Sequence, residues 1–175
     1  GDALGYVGAK VQPTKLAAME ALWTAETAPM AFNAIAFPNQ AEQKNYFTVQ
    51  IPAMLSILVT HSLDGVVPAI DQLEVQAQER IRNGIPAVQA MEKLSANPRD
   101  EAALAQFKAH GKDVGYGFLV LRYAPQGDLT KITDADIARA ARDTIPNVAI
   151  VFWSFRIMVA FGLLMLAYLV LATLM

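Results

Sequence analysis

The chain has 175 residues without a single cysteine, and charged residues make up only 17% of it. Without cysteine, disulfides, thiolate metal sites and a cysteine nucleophile are all excluded. The formal net charge of −2 indicates no basic surface, so we expect no nucleic-acid partner. A glycine-rich phosphate loop, a GxSxG motif and an HExxH motif are also missing, and with them the usual signatures of nucleotide-binding proteins, α/β-hydrolases and zinc proteases.

What the sequence does contain is one long hydrophobic run, from Val148 to Met175, with a single charge at Arg156. A helix crosses the hydrocarbon core of a bilayer with about 20 residues, each rising 1.5 Å. The stretch from Arg156 to Met175 supplies that length, and an aromatic cluster expected at the headgroups precedes it. Residues 147–175 are therefore predicted to form a transmembrane helix. The aromatic cluster consists of Phe152, Trp153 and Phe155.

Two residues of this helix have both an ordinary and a functional explanation. Arg156 either extends its charge to the membrane surface or faces a partner, cavity or cofactor. Met158 either packs against lipid or acts as an axial ligand to haem iron. The spacing of the residues leaves these explanations open.

Residues 1–146 are predicted to lie outside the membrane as a helical region interrupted by prolines, so the predicted fold class is an all-α membrane protein. Gly1–Val11 has no clear period and is predicted to be a loop, followed by a short helix over Pro13–Ala25. Residues 27–47 are again predicted to be a loop. The apolar run over residues 48–60, which Pro52 interrupts, is too short to span a bilayer and is interpreted as a buried or interfacial helix.

Further helices are predicted from start and stop signals. One runs from Pro68 to a stop at Gly84, and a short one runs from Ile85 or Pro86 to about Ser95. Another starts at Asn97-Pro98 and ends at Gly111 or Gly115. Thr133 and Asp136 resemble a capping box for a last short helix. Because the chain begins at Gly1 without an initiator methionine, we expect it to be a piece of a longer polypeptide.

Lys15 and Glu20 are candidate site residues of the first predicted helix. A lysine in a first turn opposes the helix dipole, so it either points to water or faces an oxygen-rich ligand. Glu20 follows five residues later, about 140° around the helix, and is not the usual i,i+4 partner of Lys15. His61 and His110 are not surrounded by residues at metal-ligand spacing.

Four stretches carry a resemblance to a known family. QPTKLAAMEALW, QERIRNG, GYGFLVLRY and FRIMVAFG, in this order and spacing, resemble subunit I of cytochrome bd quinol oxidase. The resemblance covers essentially the whole chain, as the long form of the family's quinol loop over residues 1–146 and the membrane helix after it. It implies an all-α part of a larger multi-helix subunit.

The resemblance also implies roles for particular residues. The lysine and glutamate of the family's KxxxxE motif, which are tied to quinol oxidation, correspond to Lys15 and Glu20. The methionine of its Arg-x-Met motif, an axial ligand of the low-spin haem b, corresponds to Met158, which places Arg156 next to the haem and quinol site. The high-spin haem b and haem d of the family have ligands outside this chain.

The expected function is accordingly the quinol-oxidising part of a terminal respiratory oxidase that reduces oxygen to water and builds a proton gradient. The resemblance implies several partners and a location. The partners are ubiquinol or menaquinol, membrane lipid, the remaining helices of subunit I, subunit II and small accessory subunits. The location is the bacterial cytoplasmic membrane, with the loop on the periplasmic side. The alternative is a non-enzymatic, tail-anchored helical interaction protein, which explains the hydropathy but gives no reason for Arg156 and Met158.

Overall fold

The computed structural model describes the backbone of residues 2–174 and the side chains of residues 6–174. Gly1 and Met175, the outer ends of the predicted first loop and last helix, lie outside the described residues. The chain divides into two compact units. The first comprises residues 1–71 and 146–175, and the second comprises residues 72–145.

The first unit begins with two consecutive helices, α1 (Asp2–Val11) and α2 (Pro13–Met19). The prediction of a loop over Gly1–Val11 is wrong, because α1 packs against α2 and a later helix, and this packing outweighs the low helix propensity of its glycines. The prediction for α2 is confirmed at its start, where Pro13 occupies the first turn. The helix ends earlier than predicted because Ala21 adopts a left-handed conformation, with φ of 50°.

A two-stranded antiparallel hairpin follows, formed by β1 (Phe32–Asn39) and β2 (Lys44–Ile51). It corrects both the predicted loop over residues 27–47 and the predicted all-α fold class; the chain is mostly helical with one small sheet. Proline in a strand argued against a sheet, but Pro38 stands where the strand register shifts, and a strand tolerates proline at such an irregularity. The region after Pro52 forms helix α3 (Met54–Thr60). A helix was predicted within the apolar run over residues 48–60, and the structure forms it only in the second half of that run.

The last helix of the chain, α8 (Val148–Leu174), agrees with the predicted helix over its described residues and is long and apolar enough to cross a membrane. Its 27 residues contain an 18-residue window with a mean hydropathy of 2.5, and no part of that window is buried inside the protein. The first turns of α8, in contrast, are buried against α2 and β1 at Val148 and Phe152. The helix is therefore anchored to the first unit at one end and presents an apolar surface along the rest of its length.

The second unit is built on α4 (Ile70–Ala96), which runs through Gly84 and Pro86 without a break. The two separate helices predicted here are therefore wrong. Gly84 does not end the helix; it lets another backbone approach, because a Cβ added to it would lie 2.6 Å from the nitrogen of Gly117. The other helices of this unit are α5 (Glu101–His110), α6 (Val114–Leu119) and α7 (Asp134–Arg142).

The caps of α5 and α7 test the predicted helix starts. Helix α5 begins after Asp100, whose carboxylate accepts a hydrogen bond from the Ala103 N–H at 3.0 Å, so the predicted start at Asn97 is three residues early. At α7 the predicted capping box of Thr133 and Asp136 is confirmed.

The core of this unit is made of small and branched apolar side chains. They are Ala77, Ile81, Val88, Val120, Leu129, Ile137, Ala140 and Ala141.

Candidate functional site

The candidate site begins at Glu20, which caps the C-terminal end of α2. The chain leaves the helix through a left-handed turn at Ala21, and the Leu22 N–H returns to bond the Ala17 carbonyl. This tight ending directs Glu20 inward, and only 3% of the residue is exposed. A buried carboxylate needs a partner, because an unpaired charge in a protein interior is costly.

Arg156 of α8 is that partner. Its Nη2 donates to Glu20 Oε2 at 2.7 Å, and only 9% of the arginine side chain and 4% of the glutamate side chain are exposed. Both Nε and Nη2 of Arg156 also donate to the backbone carbonyl of Asn33, at 3.0 and 2.6 Å. The end of α2, strand β1 and the membrane helix thus meet at one guanidinium.

Aromatic rings enclose the same guanidinium. Its Cζ lies 4.3 Å from the ring centre of Phe32, 4.5 Å from that of Phe152 and 5.3 Å from that of Phe155. The rings attract the positive charge through their π faces and exclude water from it. Nη1 is buried without a hydrogen-bond partner among the described residues. The Nη1 hydrogens are therefore the remaining donors through which Arg156 could bind an additional acceptor.

The surroundings of Glu20 alter its acidity. Burial raises its pKa above the ordinary value of 4.5, and the hydrogen bond and positive charge of Arg156 reverse only part of that shift. Oε2 is occupied by Arg156, whereas Oε1 accepts no hydrogen bond from a described residue. The site therefore contains a carboxylate with one anchored oxygen, one free oxygen and an increased affinity for a proton.

Lys15 occupies the exposed side of α2, whereas Ala17 and Ala18 occupy the buried side. In the described part of the chain, neither a hydrogen bond nor an ion pair joins Lys15 to another residue. The structure therefore brings Glu20 together with Arg156 and leaves Lys15 at the surface. The contact of Lys15 with a ligand remains a prediction.

Met158 lies two residues after Arg156, about 200° around α8, and points away from the Glu20–Arg156 pair. The residue is 61% exposed. Most apolar side chains further along α8 are similarly exposed, so the structure leaves the thioether accessible, and its role as a haem ligand remains a prediction. Among the described side chains of residues 6–174, no three histidine, aspartate or glutamate residues are grouped to hold a metal ion.

Beside the guanidinium, β1 and α8 form an open groove with a volume of about 360 Å³. Its walls are apolar apart from Arg156, and it extends from the ion pair onto the membrane helix. The lining residues are Phe32, Ala34, Ile35, Trp153, Arg156, Ile157, Val159, Ala160 and Leu163.

The comparison with known proteins identifies the family of the chain. The family model for cytochrome bd terminal oxidase subunit I matches residues 1–175. The chain belongs to this family. A relative in the same family, cytochrome bd-II ubiquinol oxidase subunit 1 of Escherichia coli (strain K12), is 44% identical over 172 residues. That alignment covers 98% of this chain and 33% of the relative, so the chain spans about a third of the length of this cytochrome bd subunit.

Sequence reasoning missed two residues that build the candidate site of this cytochrome bd subunit, Phe32 and Asn33. They fall in a segment that was predicted to be a loop, so neither was expected near Arg156. The one available signal was the polar Asn33 within the otherwise apolar stretch MAFNAIAF. A buried polar side chain in a strand indicates a specific hydrogen-bond partner.

Proposed function

We propose that this chain is the quinol-oxidising part of a cytochrome bd terminal oxidase, in which electrons pass from quinol through haem b to oxygen. The observation that carries the proposal is the buried ion pair of Glu20 and Arg156 at the outer end of α8. An ionisable residue in a membrane helix is usually functional. A tail-anchored interaction protein gives no reason to bury such a pair there.

In this proposal Glu20 is the proton acceptor. Oxidation of a quinol releases two electrons and two protons, so the site needs a base beside the quinol hydroxyl. The free Oε1 of Glu20 can take one of these two protons while Arg156 keeps the carboxylate oriented through Oε2, and the other proton passes to water. Burial raises the pKa of Glu20 toward the pH range in which a carboxylate works best as a general base.

Lys15 supplies a positive charge to the quinol oxygens. Its side chain is exposed and has no competing partner among the described residues, so it is available to a ligand that extends along α2 from Glu20 to the first turn. A cation beside the oxygen that loses its proton stabilises the negative charge that develops there. The two residues of the motif thus have different tasks: Lys15 binds the oxygen and Glu20 removes the proton.

Arg156 links the proton to the electron. When Glu20 takes up a proton, the net charge of the Glu20–Arg156 pair changes from zero to +1. The low-spin haem b, bound through Met158 and a histidine outside this chain, would supply the electron-accepting iron. The fixed positive charge of Arg156, two residues from Met158, would favour the arrival of an electron at that iron.

The complete oxidase contains parts that this chain lacks. We propose that residues 1–146 lie on the periplasmic side of the bacterial cytoplasmic membrane and that α8 packs among the remaining helices of subunit I. Subunit II, small accessory subunits and membrane lipid are the expected partners, and ubiquinol or menaquinol is the substrate. The high-spin haem b and haem d are expected to have ligands outside this chain, and proton release on the periplasmic side would contribute to the proton gradient.

The experiment that tests this proposal compares two electron donors in the complete oxidase. Glu20→Gln keeps the shape of the side chain but removes the base, so quinol-driven oxygen consumption should fall by about 100-fold or more. Oxygen consumption driven by an artificial donor that bypasses the quinol should remain. Glu26→Gln, which changes an exposed glutamate six residues later, is the matched control and should retain both activities.

Lys15→Ala should produce the same contrast between the two donors, with a larger effect on KM than Glu20→Gln because Lys15 binds the substrate. An equal loss with both donors in Glu20→Gln and Lys15→Ala would contradict the proposal, since it would place these residues outside the quinol step.

A further inference from the structure

A single residue of the hairpin contacts both members of the buried ion pair. The backbone carbonyl of Asn33 accepts hydrogen bonds from Nε and Nη2 of Arg156. Its side-chain Nδ2 donates to the backbone carbonyl of Glu20 at 2.8 Å. Asn33 is 4% exposed, so these bonds form away from water, where a lost partner is costly.

The neighbouring strand fixes the orientation of this asparagine. Gln50 is its cross-strand partner, and Nε2 of Gln50 donates to Oδ1 of Asn33 at 2.9 Å. With Oδ1 occupied by an amide donor, the Nδ2 group must face the Glu20 carbonyl. Both polar ends of the side chain are therefore matched, and its orientation follows from the hydrogen bonds.

The backbone of β1 is also adapted at this position. The strand register shifts between Asn33 and Ile35, which is the pattern of a β-bulge. A bulge interrupts the regular ladder and turns the backbone, so it directs groups that a regular strand would keep within the sheet. Here the interruption coincides with the carbonyl that binds Arg156.

We propose that Asn33 is a positioning residue of the quinol site, which holds Glu20 and Arg156 in register by bonding both of them at once. The inference rests on the proposed function, because it gives the hairpin a task in proton removal from quinol. Asn33 does not itself touch the reacting atoms. Without its side chain, the Glu20 backbone would lose its hydrogen-bond donor and β1 would lose its attachment to the end of α2.

The hairpin offers a matched control. Asn45 makes the same kind of link between the hairpin and the segment after α2, because its Nδ2 donates to the Ala21 carbonyl at 3.0 Å. Its Oδ1 accepts from Trp23 Nε1 at 3.0 Å. It has no bond to Glu20 or Arg156. Removing either asparagine weakens the attachment of the hairpin, but only the loss of Asn33 should disturb the ion pair.

The test uses the complete oxidase with a short-chain ubiquinol as substrate. Asn33→Ala should lower kcat by about 10- to 100-fold, the size expected for a misplaced catalytic group, with a smaller change in KM. It should also move the acidic limb of the pH–rate profile to higher pH. Arg156 is the charged residue that lowers the pKa of Glu20, so a looser contact leaves that pKa higher. Asn45→Ala should leave the position of this limb unchanged.

Gln50→Ala covers the case in which Asn33→Ala fails to assemble. Gln50 is exposed, so its loss is compatible with folding, and the acidic limb should move in the same direction by a smaller amount. The inference would be overturned if the acidic limb of the pH–rate profile did not move in Asn33→Ala, or in Gln50→Ala where Asn33→Ala does not assemble. Equal shifts of this limb in Asn33→Ala and Asn45→Ala would overturn it as well.

The Glu20→Gln measurement separates this inference from the proposed function. If Glu20→Gln loses quinol oxidation while Asn33→Ala behaves like Asn45→Ala, only the positioning role of Asn33 fails. If Glu20→Gln oxidises quinol like the unmodified oxidase, the proposed function fails and the inference fails with it.

Discussion

The carboxylate of Glu20 and the guanidinium of Arg156 meet at 2.7 Å although 136 residues separate them in the chain. Each is almost fully buried, and each would be an uncompensated charge without the other. The pair therefore joins the water-exposed part of the first unit to the start of the apolar helix. Four expected outcomes follow from this pair, from the exposed face of α8 that carries Met158 and from the core of the second unit.

Removal of Arg156 should strongly destabilise the protein. Arg156→Ala leaves a buried carboxylate without its partner, and breaking such a pair costs about 3–5 kcal/mol. Arg122→Ala is the control, because the pair of Arg122 and Asp143 is exposed and should contribute at most about 1 kcal/mol. The apparent Tm of the assembled oxidase measures the difference, and equal Tm values for the two variants would contradict the burial of the Glu20 charge.

The raised pKa of Glu20 should be visible in the pH dependence of both activity and stability. Glu20 acts as a base only when it is deprotonated, so quinol oxidation should fall as the pH decreases through a value above 4.5. The stability contribution of Glu20 changes with pH in the opposite direction to its activity. Because the folded-state pKa is raised, the contribution of Glu20 to stability is present at low pH and is lost as the pH rises through the folded pKa.

The measurement compares the apparent Tm of the oxidase and of Glu20→Gln over the pH range in which Glu20 titrates. The variant should lack the part of the pH dependence that Glu20 causes. Two curves with the same slope throughout would show that the pKa of Glu20 does not change on folding.

Met158→Leu should change the absorption spectrum and the midpoint potential of the low-spin haem b while leaving the other haems unchanged, because it removes the axial thioether. Met165→Leu is the control. It lies seven residues further along α8, on nearly the same face, and is 63% exposed compared with 61% for Met158. An unaltered haem b spectrum in Met158→Leu would exclude this residue as the ligand.

The close approach of two glycines should make the core of the second unit sensitive to one added methyl group. A Cβ on Gly117 would lie 2.5 Å from the carbonyl carbon and oxygen of Gly84, so Gly117→Ala should cost about 1–3 kcal/mol of stability. Gly115, in the same helix α6, has no atom within 4 Å of an added Cβ. Gly115→Ala should be neutral or stabilising by up to about 1 kcal/mol. The two apparent Tm values provide the comparison, and a Gly117→Ala oxidase as stable as the Gly115→Ala oxidase would refute the contact.

Elements with strong local signals were predictable from the sequence. The apolar run gives α8 because its length and hydropathy suit a membrane helix regardless of its neighbours. The capping box of Thr133 and Asp136 is likewise a local set of hydrogen bonds. The errors fall where packing outweighs local preference: α1 forms despite its glycines, α4 continues through Gly84 and Pro86, and a hairpin replaces a predicted loop.

The same division applies to the site. Motif resemblance identified Lys15, Glu20, Arg156 and Met158 as candidates. The residues alone left open that each of them has only an ordinary role in packing or at the solvent-exposed surface. Only the tertiary structure placed Glu20 against Arg156 and brought Asn33 to both, because these contacts join segments more than ten residues apart through a strand that no local pattern indicated. Hydropathy acts over neighbouring residues and can be read along the chain, whereas the partner of a buried charge depends on which distant segment excludes water from it.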